Sequence, residues 1–186
     1  MLNPLIGIIA GSTVAPAETN AYASIATTTV GGGGASSITF SSIPATYTHL
    51  QIRAIAQNSS SNTYSNMRFN SDTGTNYNNH YLDGDGSSAT AGANVSDNKL
   101  YFGYITVSTN TNMFGVMVVD ILDYANTNKY KTIRLLTGKD MNGSGVVELG
   151  SGAWRNTNAI TDITIIPSAA NFAQYSSFAL YGIKGA

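Results

Sequence analysis

Few residues of this chain are equipped for chemistry. Its histidines are His49 and His80, and its glutamates are Glu18 and Glu148. A nucleophilic triad needs a histidine between a serine and an orienting carboxylate. Gly143-Ser144-Gly145 is no nucleophile elbow, because a strand pattern follows it where a helix is required. Two histidines do not supply the three or four ligands of a zinc site. Asp72, Asp83 and Asp85 are hard-cation ligands by type, but their spacing is not that of a calcium loop, and the adjoining glycines give them a turn-forming role. A glycosidase pair needs one acid in an apolar pocket, and Glu148 and Asp120 show no such partnership in sequence. Gly31–Gly34 leads into Ser37–Phe40, a strand, and not into the helix N-terminus that a phosphate loop needs; it reads as a hairpin turn. The expectation is a protein that is not an enzyme, with no cofactor and no metal.

Tyr64, Tyr77, Tyr81, Tyr101 and Tyr104 crowd less than a quarter of the chain. Tyrosine rings with Asn and Asp between them can stack on and hydrogen-bond a sugar. Tyr77, Tyr81 and Asn79 are therefore candidate glycan-binding residues. The alternative is that these rings fill and cover a core.

The elements that would hold such residues are strands. Thr48–Gln57 alternates Leu50, Ile52, Ala54 and Ala56 with His49, Gln51 and Arg53, a period of two. Tyr22–Val30, Leu100–Val107 and Tyr130–Thr137 are β-branched or aromatic. Val146–Leu149 and Ala153–Arg155 flank Gly150-Ser151-Gly152. Met67 and Phe69 point inward in a short run. Met113–Leu122 is apolar on both faces and is expected to be buried on both, with Asp120 either at a wet end or paired. Asn70–Gly86 and Ser87–Asn98 are rich in turn formers and read as one long loop. Ile160–Ile166 and Phe172–Lys184 read as an antiparallel pair, the second expected inside its sheet. Roughly ten short strands without an amphipathic helix predict an all-β, antiparallel β-sandwich or jelly roll.

Charged residues make up 10% of the 186 residues and the net charge is −1. That excludes the basic footprint of nucleic-acid binding. The low charge suits a surface held in a fixed assembly. Cysteine does not occur, so disulfides and thiolate metal sites are excluded. No stretch is long and apolar enough for a membrane-spanning helix.

Residues 1–20 divide from the sandwich domain, residues 21–186, as an N-terminal arm and linker. Met1–Ala10 carries Leu2, Leu5, Ile6, Ile8 and Ile9. A signal peptide would want a basic start and a longer apolar run. Either this segment is a first strand over the core, or those five side chains dock on a neighbouring subunit.

Phe40–Ala54 (FSSIPATYTHLQIRA), Met67–Gly86 (MRFNSDTGTNYNNHYLDGDG) and Asn171–Lys184 (NFAQYSSFALYGIK) resemble small β-sandwich virion proteins of tailed bacteriophages. The resemblance extends from Tyr22 onward and its motifs are structural. It implies a virion structural protein: a capsid decoration (cement) protein, as a homotrimer on the outer capsid surface against the major capsid protein. The alternative it allows is a tail or fibre component that binds a host-surface glycan. No catalytic residue carries over.

Overall fold

A computed structural model describes residues 21–61 and 63–185, and these form an antiparallel β-sandwich. Thirteen strands run among the described residues: β1 (Tyr22–Thr29), β2 (Ile38–Phe40), β3 (His49–Asn58), β4 (Tyr64–Phe69), β5 (Tyr77–Gly84), β6 (Ala89–Asp97), β7 (Leu100–Tyr104), β8 (Thr106–Val107), β9 (Gly115–Leu122), β10 (Lys131–Asp140), β11 (Gly145–Trp154), β12 (Ile163–Pro167) and β13 (Ser177–Ile183). One sheet has nine strands, in the order β1-β13-β3-β9-β10-β11-β5-β6, with β8 paired to β3. The other has four, β2-β12-β4-β7.

Alternation decides which side of each strand faces in. Leu50, Ile52, Ala54 and Ala56 of β3, Met117, Val119 and Ile121 of β9, Ile133 and Leu135 of β10, and Phe178 and Leu180 of β13 pack beneath Met67, Phe69, Leu100, Phe102, Ile163 and Ile165 of the small sheet. Phe69 and Trp154 meet at 5.6 Å between ring centroids, and Phe172 and Phe178 at 4.8 Å. Rings so placed gain pair energy beyond the area they bury. Lys131 is fully buried. Its ammonium donates to the carbonyls of Asn126, Thr157 and Lys129 at 2.6, 3.0 and 3.1 Å. Those three bonds offset the desolvation, which lowers its pKa.

Several expectations are corrected. Asn70–Asn98 is no long loop: after a turn it builds the β5–β6 hairpin. Its small and polar residues look like loop residues because β6 is an edge strand exposed along most of its length, with little to bury. Ile163–Pro167 and Ser177–Ile183 do not pair; β12 joins the small sheet and β13 the large one, between β1 and β3. Gly31–Gly34 is a turn but not a hairpin, since β1 and β2 belong to different sheets. Gly150–Gly152 does not interrupt β11, where an added Cβ at Gly152 would lie 2.7 Å from Leu100. β9 is buried on one face only: Val116, Val118 and Leu122 face outward and are exposed. The arm residues Leu2, Leu5, Ile6, Ile8 and Ile9 lie outside the described residues.

Candidate functional site

Two surfaces stand apart from an ordinary polar exterior. The first is the outer face of the nine-stranded sheet. Because paired residues point to the same side of a sheet, the register can be read as rows crossing the strands. One row runs Ala91, Leu82, Leu149, Leu136, Val118, Arg53, Ala179. The row beside it runs Gly84, Val147, Gly138, Val116, Ile55. Leu82, Leu136, Leu149, Val116 and Val147 are each more than half exposed. On the other side of the first row lies a polar one: His80, Ser151, Arg134, Asp120, Gln51, Tyr181. Asp120 is paired here, accepting from Gln51 Nε2 at 2.7 Å and Arg134 Nη2 at 2.6 Å. The open face of the large sheet thus carries an aliphatic band bordered by a hydrogen-bonded polar ladder.

The second is a cleft of about 360 Å³ beside β7, the edge strand of the small sheet, where β5, β6 and β11 of the larger sheet line it. Alternation turns Asn79, Tyr81 and Asp83 of β5 and Glu148 of β11 toward it; Tyr101 and Tyr104 of β7, Tyr64 and Asn66 of β4, and Asn94 and Asp97 of β6 complete it with Lys99. Local backbone geometry sets this up. Gly103 has φ +138°, and a Cβ there would lie 2.6 Å from Met117 Cγ. Only glycine fits. The bend it allows, facing the irregularity at Ser65/Asn66, lets the Tyr104 N–H donate to Thr137 Oγ1 at 2.9 Å. The Tyr104 hydroxyl then donates to Asp83 Oδ2 at 3.0 Å. Gly92 of β6 is flat against the Tyr81 ring, where a Cβ would lie 2.4 Å from the hydroxyl.

Glu148 stands directly opposite Asp83 in the β11–β5 ladder and is almost wholly buried. Burial, then a hydrogen bond to Asp83 and the charge of Asp83, push the Glu148 pKa up to about 8. At neutral pH Glu148 is therefore held as a neutral acid beside Asp83. Burial also pushes the Tyr101 and Tyr104 phenols up, so both stay protonated. Four buried oxygens here have no hydrogen-bond partner: Asn79 Oδ1, Asp83 Oδ1, Tyr101 Oη and Glu148 Oε1.

The proposed glycan residues divide. Tyr81 and Asn79 line the cleft. Tyr77 does not: it is fully buried, nearly parallel to Trp154, and its hydroxyl takes the Phe69 N–H at 3.1 Å. A strand that begins at Tyr77 puts its first inward residue under the small sheet. The pairing of Glu148 with Asp83 is not legible in the sequence, because it is a cross-strand register that spacing along the chain does not reveal. Asp72 serves its own turn, accepting from the Gly74 N–H at 2.8 Å and Asn76 Nδ2 at 2.9 Å, and it takes the Trp154 indole N–H at 2.7 Å. Asp85 accepts from the Ser87 and Ser88 N–H groups at 2.8 and 2.7 Å. His49 accepts the Asp123 N–H at 3.0 Å, and His80 is exposed on β5. Among the described residues no three His, Asp or Glu side chains gather as a metal site.

No family model matches the chain and no curated protein does. Among solved structures, the galectin LEC-6 of Caenorhabditis elegans is 4% identical over 86% of this chain and 96% of that one, with a TM-score of 0.36. Similarity at that level transfers neither ligand nor activity.

Proposed function

We propose that this chain is a non-enzymatic structural protein of a tailed-bacteriophage virion, a capsid decoration protein that binds the assembled shell through contacts with the major capsid protein and with copies of itself. The observation that carries the reading is the aliphatic band through Leu82, Leu149, Leu136 and Val118 on the open face of the large sheet. Apolar surface of that extent is costly to leave in water, and a chain with so few charges has little self-repulsion to keep its copies apart. The resemblance of Phe40–Ala54, Met67–Gly86 and Asn171–Lys184 to such virion proteins supports the same reading. Its action is mass action. A homotrimer that bridges several shell subunits binds the closed shell and not the separate subunits, and so stabilises the shell. The arm residues Leu2, Leu5, Ile6, Ile8 and Ile9 are the proposed docking anchors.

A position at the tail is the second reading. Cryo-electron microscopy of virions carrying a tagged copy separates the two. Many copies spread over the head support decoration; a few copies at the tail tip overturn it. Deleting Met1–Ala10 is expected to abolish shell binding, and retained binding would remove the arm from the mechanism.

A further inference from the structure

We propose that the cleft beside β7 is a binding site for an uncharged saccharide, held by Asn79, Asp83, Tyr101 and Glu148 and covered by the Tyr81 and Tyr64 rings. The proposal does not depend on where in a virion the protein sits.

The first argument is an imbalance of hydrogen-bonding groups. Asn79 and Glu148 are more than nine-tenths buried, yet Asn79 Oδ1 and Glu148 Oε1 have no partner, and neither do Asp83 Oδ1 and Tyr101 Oη. A buried acceptor left unmade costs free energy, and such groups cluster where a ligand completes them. All four can accept and the Tyr101 phenol also has an O–H to give, so the missing component carries several O–H or N–H donors and at least one acceptor. Saccharide hydroxyls meet that need. Glu148 Oε1 belongs to the cleft lining and has no protein partner there.

The second argument is the lining. Tyr64, Tyr81, Tyr101 and Tyr104 line one cleft. Tyr64 and Tyr101 have ring centroids 6.0 Å apart, and Tyr101 and Tyr104 5.9 Å apart. Phenol rings give flat apolar faces to C–H groups and polar rims to hydroxyls, the two aspects of a sugar ring. Tyr81 is held in place by Gly92 beneath it. About 360 Å³ falls within the range of small-molecule sites.

Other ligand classes fit less well. An anion would meet Asp83 and Asp97. A purely apolar ligand would seal the four oxygens away from water unpaired. A bare divalent cation would have to displace both the Glu148 proton and the Tyr104 bond to Asp83, and it would leave the tyrosine-lined volume unused.

The test uses the full chain and two-dimensional NMR. Glucose, galactose, mannose and N-acetylglucosamine are each titrated to millimolar excess, and calcium and magnesium salts are titrated separately. The expected result is that at least one sugar gives saturable shifts at Asn79, Tyr81 and Tyr101, with no comparable response to either metal. Asn94 is exposed on β6 at the cleft. Asn94→Trp therefore fills the opening without touching the core and is expected to abolish the shifts while the melting temperature holds. Asn79→Ala is expected to weaken binding about tenfold or more, the effect of one hydrogen bond to a buried group. The proposal is overturned if no sugar shifts these residues, if binding survives Asn94→Trp, or if calcium or magnesium alone shifts the same residues.

Discussion

Trp154 donates its indole N–H to Asp72 across 82 residues of sequence, at 2.7 Å. This bond ties the turn before β5 to the end of β11, and with it the hairpin that carries half of the cleft. Burial works to raise the Asp72 pKa, but the bonds from Trp154, Asn76 and the Gly74 N–H outweigh it and lower the value.

Asp72→Ala is expected to lower unfolding stability by about 2 kcal/mol, because it orphans a buried indole donor and opens the turn. Chemical denaturation would measure this. Chelation with EGTA is expected to leave the melting temperature of the wild-type protein unchanged; a clear drop would make Asp72 a cation ligand.

The Asp83–Glu148 pair gives a pH dependence of known sign. The folded Glu148 holds its proton up to about pH 8, against an ordinary value of 4.5. Between those limits unfolding releases a proton, so stability falls as pH rises, by up to ~1.4 kcal/mol per unit from this group. Glu148→Gln keeps a donor toward Asp83 and removes the titration. The groups around it (Asp83, Asp97, Lys99, Tyr101 and Tyr104) remain in both proteins, so the difference between the two isolates Glu148. The variant is expected to gain on the wild type as pH rises through this window; parallel urea midpoints across it would refute a Glu148 proton held to about pH 8.

The aliphatic band predicts self-association. Leu136→Lys places a charge at the centre of the row between Leu149 and Val118. Its side chain is solvent-exposed, so the fold is expected to hold within about 0.5 kcal/mol. Light scattering after size exclusion is expected to show an oligomer for the wild-type protein and a monomer for the variant. An unchanged oligomer would put the contact elsewhere.

Lys131→Met removes three charge-assisted bonds to Asn126, Lys129 and Thr157 while keeping the apolar stem. A loss of about 3 kcal/mol is expected in denaturant. A neutral outcome would mean that the three carbonyls find water instead.

Much of the fold was legible in the chain, and the reason differs by element. The period-two pattern of β3 and the inward Phe178 and Leu180 of β13 need only the strand's own alternation. What stayed hidden depends on which strands become neighbours. β9 looks apolar on both faces, yet nothing in its own residues tells that one face meets no second layer. Asn79, Tyr81 and Asp83 look like loop polar residues, because a strand that lines a wet cleft lacks the apolar alternation that betrays a strand over a core. Glu148 looks isolated until the ten-residue register of β10 and β11 carries it beside β5. Sheet assignment failed for β12 and β13 for the same reason: adjacency in sequence was the only cue, and the link between them crosses from one layer to the other.

A nine-stranded layer against a four-stranded one has a consequence for how this molecule can vary through descent. The residues that hold the layers together, such as Leu50, Phe102 and Ile163, do not line the cleft. Tyr64, Asn94 and Lys99 do line it and belong to no part of the core. Exchanges at those three positions, and along the edge strand β6, can alter what is recognised at almost no cost to folding. Related chains should then keep the interior and diversify this rim, so that one scaffold meets a changing set of ligands.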